Sequence, residues 1–296
     1  MLDRSYVLLT AARNEATSIA KTIDSVLRQT VRPAEWVIVS DASTDGTDDI
    51  VRAISLSAGF IRLVRVDRDG GRSFGAKAIA LDRARAGLSS SNYGFLGVLD
   101  ADISFAPRYF ESLLAEFDRD PSLGVAGGVI LQWTGGRLER RIKSLNSVAG
   151  AVQLFRRECF FSTDGFPEME IGGEDAAIEI QARMQGWRVR TFPQIEVIHY
   201  GRVGEGSGGR LGARYEFGQR CFLLGYHPLF QAMRLLSRAI ERPYIVGSVA
   251  EMVGFVAARL RFKRPSLKPE IVRFLRREQI GRLGAILRAG SGGARR

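Results

Sequence analysis

The chain has 296 residues, 45% of them hydrophobic, and a net charge of +11. That apolar content buries a sizeable core in one large domain or two small ones and excludes a mainly disordered chain. The two cysteines, Cys159 and Cys221, each lie beside phenylalanine; they read as buried free thiols and exclude a disulfide framework or a cysteine zinc site.

The first two hundred residues alternate strand and helix patterns. Tyr6–Thr10 is a short apolar strand, and Ala16–Gln29 sets Ile19, Ile23, Val26 and Leu27 at helical spacing. Trp36–Val39 predicts a second strand ending at Ser40-Asp41, after which Ser43 or Thr44 opens a helix over Thr47–Leu56. Ile61–Val64 is a third strand and Phe74–Ala86 a helix; Tyr93–Leu99 is a fourth, buried strand that delivers Asp100-Ala101-Asp102. Pro107 then opens another helix at a favoured first-turn position. This rhythm predicts a doubly wound, mostly parallel sheet with helices on both faces.

The texture then changes. Val125–Leu131 is apolar and glycine-rich, Arg137–Arg141 is a charged helix start or loop, and Ala151–Phe155 reads as a strand. Gly172-Gly173-Glu174-Asp175 precedes a helix over Ala176–Gln185, followed by short strands at Val189–Phe192 and Val197–His199. Six glycines fall within Gly201–Gly212, which reads as a flexible lid-like loop. Tyr244–Ala258 is the longest apolar stretch, at fifteen residues, and it holds Glu251. A spanning helix needs roughly 20 apolar residues and tolerates a mid-span acid poorly, so an amphipathic or packed helix is expected instead. Ala289–Arg296 is expected to fray.

Charge follows the same division. Residues 1–200 carry 24 Lys and Arg against 26 acids, whereas 201–296 carry 19 against 6 glutamates and no aspartate, a surplus of +13. A basic extension over 213–296 is expected to meet an anionic membrane surface, or else to pack on the core or on a second subunit as a homodimer. It shows no nucleic-acid recognition module. Met1–Arg4 leads straight into the first strand without an apolar leader, so a cytoplasmic setting is expected, peripheral on the membrane's cytoplasmic face.

Asp100 and Asp102 project from the C-terminal edge of their strand, where open α/β sheets bind ligands. Two acids this close repel unless a cation lies between them, and hard oxygen ligands suit Mg²⁺ or Mn²⁺. Such ions commonly carry substrate phosphates, and no glycine-rich phosphate loop follows the first strand. Acidic pairs also cap turns and helices, and that reading stays open for Asp100 and Asp102 taken alone.

The ordered set of motifs resembles the family 2 glycosyltransferases. It comprises Ala12-Arg13-Asn14-Glu15, Ser25–Thr30, Asp41-Ala42-Ser43-Thr44-Asp45-Gly46-Thr47, Gly75-Ala76-Lys77-Ala78, Asp100-Ala101-Asp102 and Gly173-Glu174-Asp175. The resemblance implies a GT-A fold over residues 1–200, with a nucleotide-sugar half at 1–104 and an acceptor half at 105–200. It implies inverting transfer from a nucleotide diphosphate sugar, UDP-linked by family weight, to a glycan or lipid-linked acceptor. Ala11, Arg13 and Glu15 would line the nucleotide pocket, Asp41 the nucleoside, and Lys77 the nucleoside or diphosphate. Asp102, assisted by Asp100 across Ala101, would hold Mn²⁺ or Mg²⁺, with His199 as third ligand. Asp175 would be the general base, with Glu174 orienting it or contacting acceptor hydroxyls.

Simpler readings stand beside these. Asp41 also suits an Asx-turn, Arg13 a solvated surface charge, Lys77 an amphipathic helix, and His199 a structural role. The helix dipole favours Glu174 and Asp175 where they are, and Asp45 suits capping better than ligand contact. The family's processive Q-x-x-R-W element is replaced by Gln219-Arg220-Cys221-Phe222, which favours single-sugar transfer. A sugar nucleotidylyltransferase would need a glycine-rich basic loop in place of Ala11–Asn14, and a noncatalytic carbohydrate- or nucleotide-binding protein would be expected to lose the acids.

Overall fold

The computed structural model describes residues 3–67, 75–134, 137–141, 144–201, 209–238 and 244–292. Two compact units emerge, one formed by 1–168 with 174–201 and the other by 169–173 with 202–296.

In the first unit β1 (Tyr6–Ala12), α1 (Ile19–Leu27), β2 (Glu35–Asp41), α2 (Thr47–Ser55), β3 (Ile61–Val66), α3 (Gly75–Ala86) and β4 (Phe95–Leu99) alternate as the apolar pattern predicts. Then come β5 (Ile103–Phe105), α4 (Tyr109–Arg119), β6 (Leu123–Thr134), β7 (Arg137–Arg141), β8 (Val152–Arg156), α5 (Arg157–Phe161), α6 (Glu174–Met184) and β9 (Arg188–His199). The described strands form one sheet in the order β3-β2-β1-β4-β8-β6-β9-β5, with β7 paired to β6. β3, β2, β1 and β4 run parallel; β8 pairs antiparallel with both β4 and β6, and β6 runs parallel to β9.

Period-2 alternation sends each strand's side chains to two cores. Tyr6, Leu8, Trp36 and Ile38 face α1, α2 and α4, packing with Ile23, Val51 and Phe110. Val7, Leu9, Val37 and Val39 face the other layer, packing with Leu81 of α3, Phe160 of α5 and Ile178 of α6. Helices therefore cover both faces, as the sequence predicts.

Four local expectations are corrected. Arg137–Arg141 is a strand, not a helix start or loop. Arg137, Leu138, Glu139 and Arg140 are all exposed, so no apolar alternation marks it. The two short strands near 189 and 197 are one strand, β9, whose ladder with β6 steps from Phe192 to Glu196 around Pro193, which lacks a donor. Pro107 lies ahead of α4 rather than in its first turn, and its carbonyl accepts from the Thr30 backbone N–H at 2.9 Å. Neither Ser43 nor Thr44 caps α2. Asp45 Oδ1 accepts from the Thr47 amide at 3.1 Å, while Ser43 and Thr44 bond Asn14.

The second unit is helical, with α7 (Gly209–Leu223), α8 (Pro228–Arg238), α9 (Tyr244–Phe262) and α10 (Pro269–Gly292). Within the expected Gly201–Gly212 loop, Gly209–Gly212 opens α7, and residues 202–208 lie outside the described set. α10 runs to Gly292, into the 289–296 stretch where fraying was expected, and residues 293–296 lie outside the described set. Phe222 and Phe255 meet edge-on at 5.7 Å between α7 and α9. Glu251, fully buried, accepts from Gln231 at 3.2 Å and pairs with Arg214 at 3.3 Å, Arg234, and Arg238 at 4.0 Å. The acid within the apolar stretch is thus the hub of an internal ion network, and no helix among the described residues is long and apolar enough to cross a membrane. Burial pushes both thiols, Cys159 and Cys221, up to about 12, as expected of inert buried cysteines.

Candidate active site

The chain builds β1, β2 and β3 outward in one direction and then places β4 on the other side of β1. The crevice at this switch point, beyond the C-terminal strand ends, is where such sheets bind ligands. Ala11 lies near the end of β1, Asp41 ends β2, and Asp100 directly follows β4. Arg13 and the buried Asp41 form an ion pair at 3.3 Å across the two neighbouring strand ends.

Most of the other residues in these two motifs hold the loops together. Asn14 N–H donates to Ser43 Oγ, Thr44 N–H to Asn14 Oδ1, Glu15 N–H to Thr47 Oγ1, and Ala16 N–H to Asp45 Oδ2, all between 2.8 and 3.1 Å. Asn14 (φ 56°) and Ala42 (φ 51°) both sit in the left-handed region, a backbone cost that persists only where the surroundings enforce it. Glu15 Oε2 accepts from Ser18 Oγ at 2.8 Å, at the start of α1.

The Asp-x-Asp turn is clamped from below by Thr22, which the sequence reading missed. Its buried hydroxyl lies 2.9 and 2.8 Å from the carbonyls of Ala101 and Ile103 and accepts from the Ile103 amide at 3.1 Å. Asp100, Asp102 and His199 each offer a ligand atom within 4.8 Å of the others. His199 Nε2 stands 3.5 Å from Asp102 Oδ2, and its Nδ1 faces the Gly201 carbonyl at 3.3 Å. That carbonyl also accepts from Gln132 Nε2 at 3.0 Å. An Nδ1–H donated to a fixed carbonyl leaves the Nε2 lone pair for a cation. A Cβ on Gly201 would overlap Asp102 Oδ2 and come within 2.7 Å of the His199 ring, so a side chain there would push these ligand groups aside. Burial first, then Asp100, raises Asp102 above the usual carboxylate range, against the pull of His199. Two carboxylates and an imidazole fit a divalent ion.

Lys77 Nζ donates to Asp100 Oδ1 at 2.7 Å and reaches the Gly150 carbonyl at 3.5 Å. Burial pulls its ammonium down, but Asp100, Glu174 and Asp175 outweigh that and hold it above its ordinary value. Lys77 is thus bonded to the Asp-x-Asp turn, and the charges of Glu174 and Asp175 at the start of α6 favour its ammonium form. Glu174 is buried, with Oε2 unpartnered among the described residues, and burial raises it while Lys77 opposes. Asp175 is half-buried and packs on the bare Cα of Gly150. A Cβ there would overlap Asp175 Oδ2 and lie 2.8 Å from its Cβ and Cγ. Gly150→Ala should displace that carboxylate and slow turnover at least roughly tenfold, with donor affinity unchanged; unaltered kcat would show the packing to be slack.

The 147–153 segment carrying Gly150 is tied to α6 by Glu179, which accepts from Ser147 Oγ at 2.8 Å, Val148 N–H at 2.7 Å and Gln153 Nε2 at 3.0 Å. Burial pushes Glu179 up to about 8, against the Val148 and Ser147 hydrogen bonds. A carboxyl whose pKa is raised on folding stabilises fully below its unfolded value, near 4.5, and loses that contribution as pH rises through about 8. Urea melts should therefore show the wild type losing stability relative to Glu179→Gln between about pH 5 and 8.5, by at most about 1.4 kcal/mol per pH unit. A constant difference across that range would assign Glu179 an ordinary pKa.

A doubly wound half joined to an antiparallel-paired half, with an Asp-x-Asp turn at the switch point, defines a GT-A fold. Residues 8–168, just over half the chain, match glycosyl transferase family 2, and the chain belongs to that family. The poly-β-1,6-N-acetyl-D-glucosamine synthase of Staphylococcus aureus is 25% identical over 207 residues, 62% of this chain and 47% of that protein. The succinoglycan biosynthesis protein ExoU of Rhizobium meliloti is 31% identical over 109 residues, 37% of this chain and 29% of its own. The match thus spans less than half the length of either relative. Among solved structures, the mannosyltransferase PcManGT of Pyrobaculum calidifontis, in complex with GDP-Man and Mn²⁺, superposes with a TM-score of 0.55 at 20% identity, covering 99% of this chain and 82% of that one. Staphylococcus aureus TarS with UDP-GlcNAc gives 0.55 at 15% identity, covering 87% and 73%. These are likenesses of fold.

Proposed function

We propose that this chain transfers a single sugar, with inversion, from a nucleotide diphosphate sugar to a hydroxyl of a glycan or lipid-linked acceptor. The observation that carries the reading is the Asp100–Asp102–His199 group at the switch-point crevice, with Lys77 hydrogen-bonded to Asp100 and its charge favoured by Glu174 and Asp175. Arg13 and Asp41 at the β1 and β2 ends receive the nucleoside. Asp102 and His199, with Asp100, would hold Mn²⁺ or Mg²⁺, which would supply positive charge to a departing diphosphate. Lys77 adds an ammonium on the same side. Asp175 takes the acceptor proton as the new glycosidic bond forms, which a hydroxyl far above neutral pKa requires. Glu174 orients Asp175 or meets acceptor hydroxyls.

The relatives' names point to polysaccharide synthesis, and PcManGT and TarS were solved with a GDP-sugar and a UDP-sugar. The choice of UDP therefore rests on family weight alone. A nucleotidylyltransferase has less support, because the Asn14–Ala16 backbone after β1 is tied to the β2–α2 turn rather than free to cradle phosphates. Titration calorimetry with UDP and GDP, in Mn²⁺ and in chelator, tests the reading. One nucleotide should bind roughly tenfold or more tighter with the ion; affinity indifferent to chelator would remove the ion from the proposal.

A further inference from the structure

Helix α9 is amphipathic the wrong way round for a helix in water. Its inward face carries Gly247, Glu251, Gly254, Phe255 and Ala258, all buried. Its outward face carries Ile245, Val249, Val253, Val256 and Leu260, between 45% and 75% exposed. At 100° per residue these five fall within an arc of roughly 80° and span about 22 Å of helix. From Tyr244 to Ala258 the only charged residue is the inward Glu251. The usual surface helix has the opposite pattern, apolar inside and charged outside. At the C-terminal end the pattern breaks abruptly, with Arg259, Arg261, Lys263 and Arg264 exposed within six residues. Arg259 and Arg261 flank the stripe, about 80° and 120° from its middle.

We propose that α9 is a membrane-docking helix that lies in the interface of an anionic bilayer, the Ile245–Leu260 stripe among the acyl chains and Arg259, Arg261 and Arg264 among the headgroups. Long basic side chains reach back to headgroups from the flanks of an apolar stripe, and each adds electrostatic attraction to an anionic surface. The helix lies on the membrane rather than across it, since it is neither long nor apolar enough to span. The charge decides against a second copy of the chain as the occupant: residues 201–296 carry 19 basic residues against 6 acidic ones, and a self-contact brings that surplus against itself. The inference stands on the helical unit alone and does not depend on which donor the other unit takes.

The test is flotation of the full chain with neutral phosphatidylcholine vesicles and with vesicles containing about 30% phosphatidylglycerol, at low and high salt. The wild type should float with the anionic vesicles and much less with the neutral ones. The stripe variant Val249→Ser/Val253→Ser/Leu260→Ser should lose partitioning by roughly tenfold or more on both, because the apolar area is gone. The charge variant Arg259→Gln/Arg261→Gln/Arg264→Gln should lose the preference for anionic lipid and most of its salt dependence. All these positions are exposed, so circular dichroism melts should match the wild type, and Mn²⁺-dependent nucleotide binding serves as an independent check on the other unit. A wild type that remains unbound to both vesicles overturns the proposal. So does a stripe variant that floats as well as the wild type, or a wild-type dimer dispersed by the stripe substitutions without any lipid binding.

Discussion

Asp175→Asn is expected to lower sugar transfer by a factor on the order of 10²–10⁴, the usual range for loss of a general base. The substitution keeps the shape that packs against Gly150 and removes only the carboxylate proposed to accept the proton. Donor affinity should hold, because the Asp100–Asp102–His199 group and the Arg13–Asp41 pair are untouched. Lys77 keeps its charge as well, since Asp100 and Glu174 outrank Asp175 among the carboxylates that sustain it. Single-turnover rates with saturating donor, set beside calorimetric donor affinity, separate the two effects. A variant that binds donor poorly but turns over normally when saturated would move Asp175 to the donor side and leave the base unassigned.

The sequence shows the first four strands and the acidic groups at their ends because each depends on local pattern, whereas the strand order that makes the switch point is a long-range property. β1, β2 and β4 each hold an apolar run (Tyr6–Leu9, Trp36–Val39 and Phe95–Leu99), and the residues that matter fall at or just beyond their ends. What the sequence hides is long-range support. Thr22 lies in the middle of a helix pattern with nothing to distinguish it, yet its hydroxyl holds the turn about eighty residues away. Gly150 is one glycine among many until Asp175 is packed against its Cα. Gln132 matters only because a parallel ladder brings it beside His199, where it bonds the Gly201 carbonyl. The inversion of α9 has a similar cause: composition alone shows Glu251 as a flaw in an apolar stretch, and only packing shows it facing three arginines. The motif Asp41–Thr47 shows the reverse effect. Five of its residues resemble a ligand-binding signature, yet Ser43, Thr44, Asp45 and Thr47 spend their polar atoms bracing the β1 loop.

Asp102→Asn should separate stability from function with opposite signs. Without a cation, Asp102 is held close to Asp100 in a half-buried cradle, and like charges in such a place repel. Removing one of them relieves that repulsion, so in chelator the variant should melt no lower than the wild type. With an ion the balance reverses. A ligand carboxylate contributes more than a group that merely orients a ligand, whose loss typically costs roughly 10–100-fold in affinity. Mn²⁺-dependent nucleotide binding should therefore weaken by at least about 10²-fold, and ligand stabilisation, which scales with the logarithm of ligand over Kd, should vanish from the melting curve. The wild type should show a higher Tm in Mn²⁺ and nucleotide than in chelator, and the variant the same Tm in both. An Asp102→Asn protein that still gains stability from Mn²⁺ with nucleotide would transfer the ion to other groups; one that melts early in chelator would make Asp102 a structural acid.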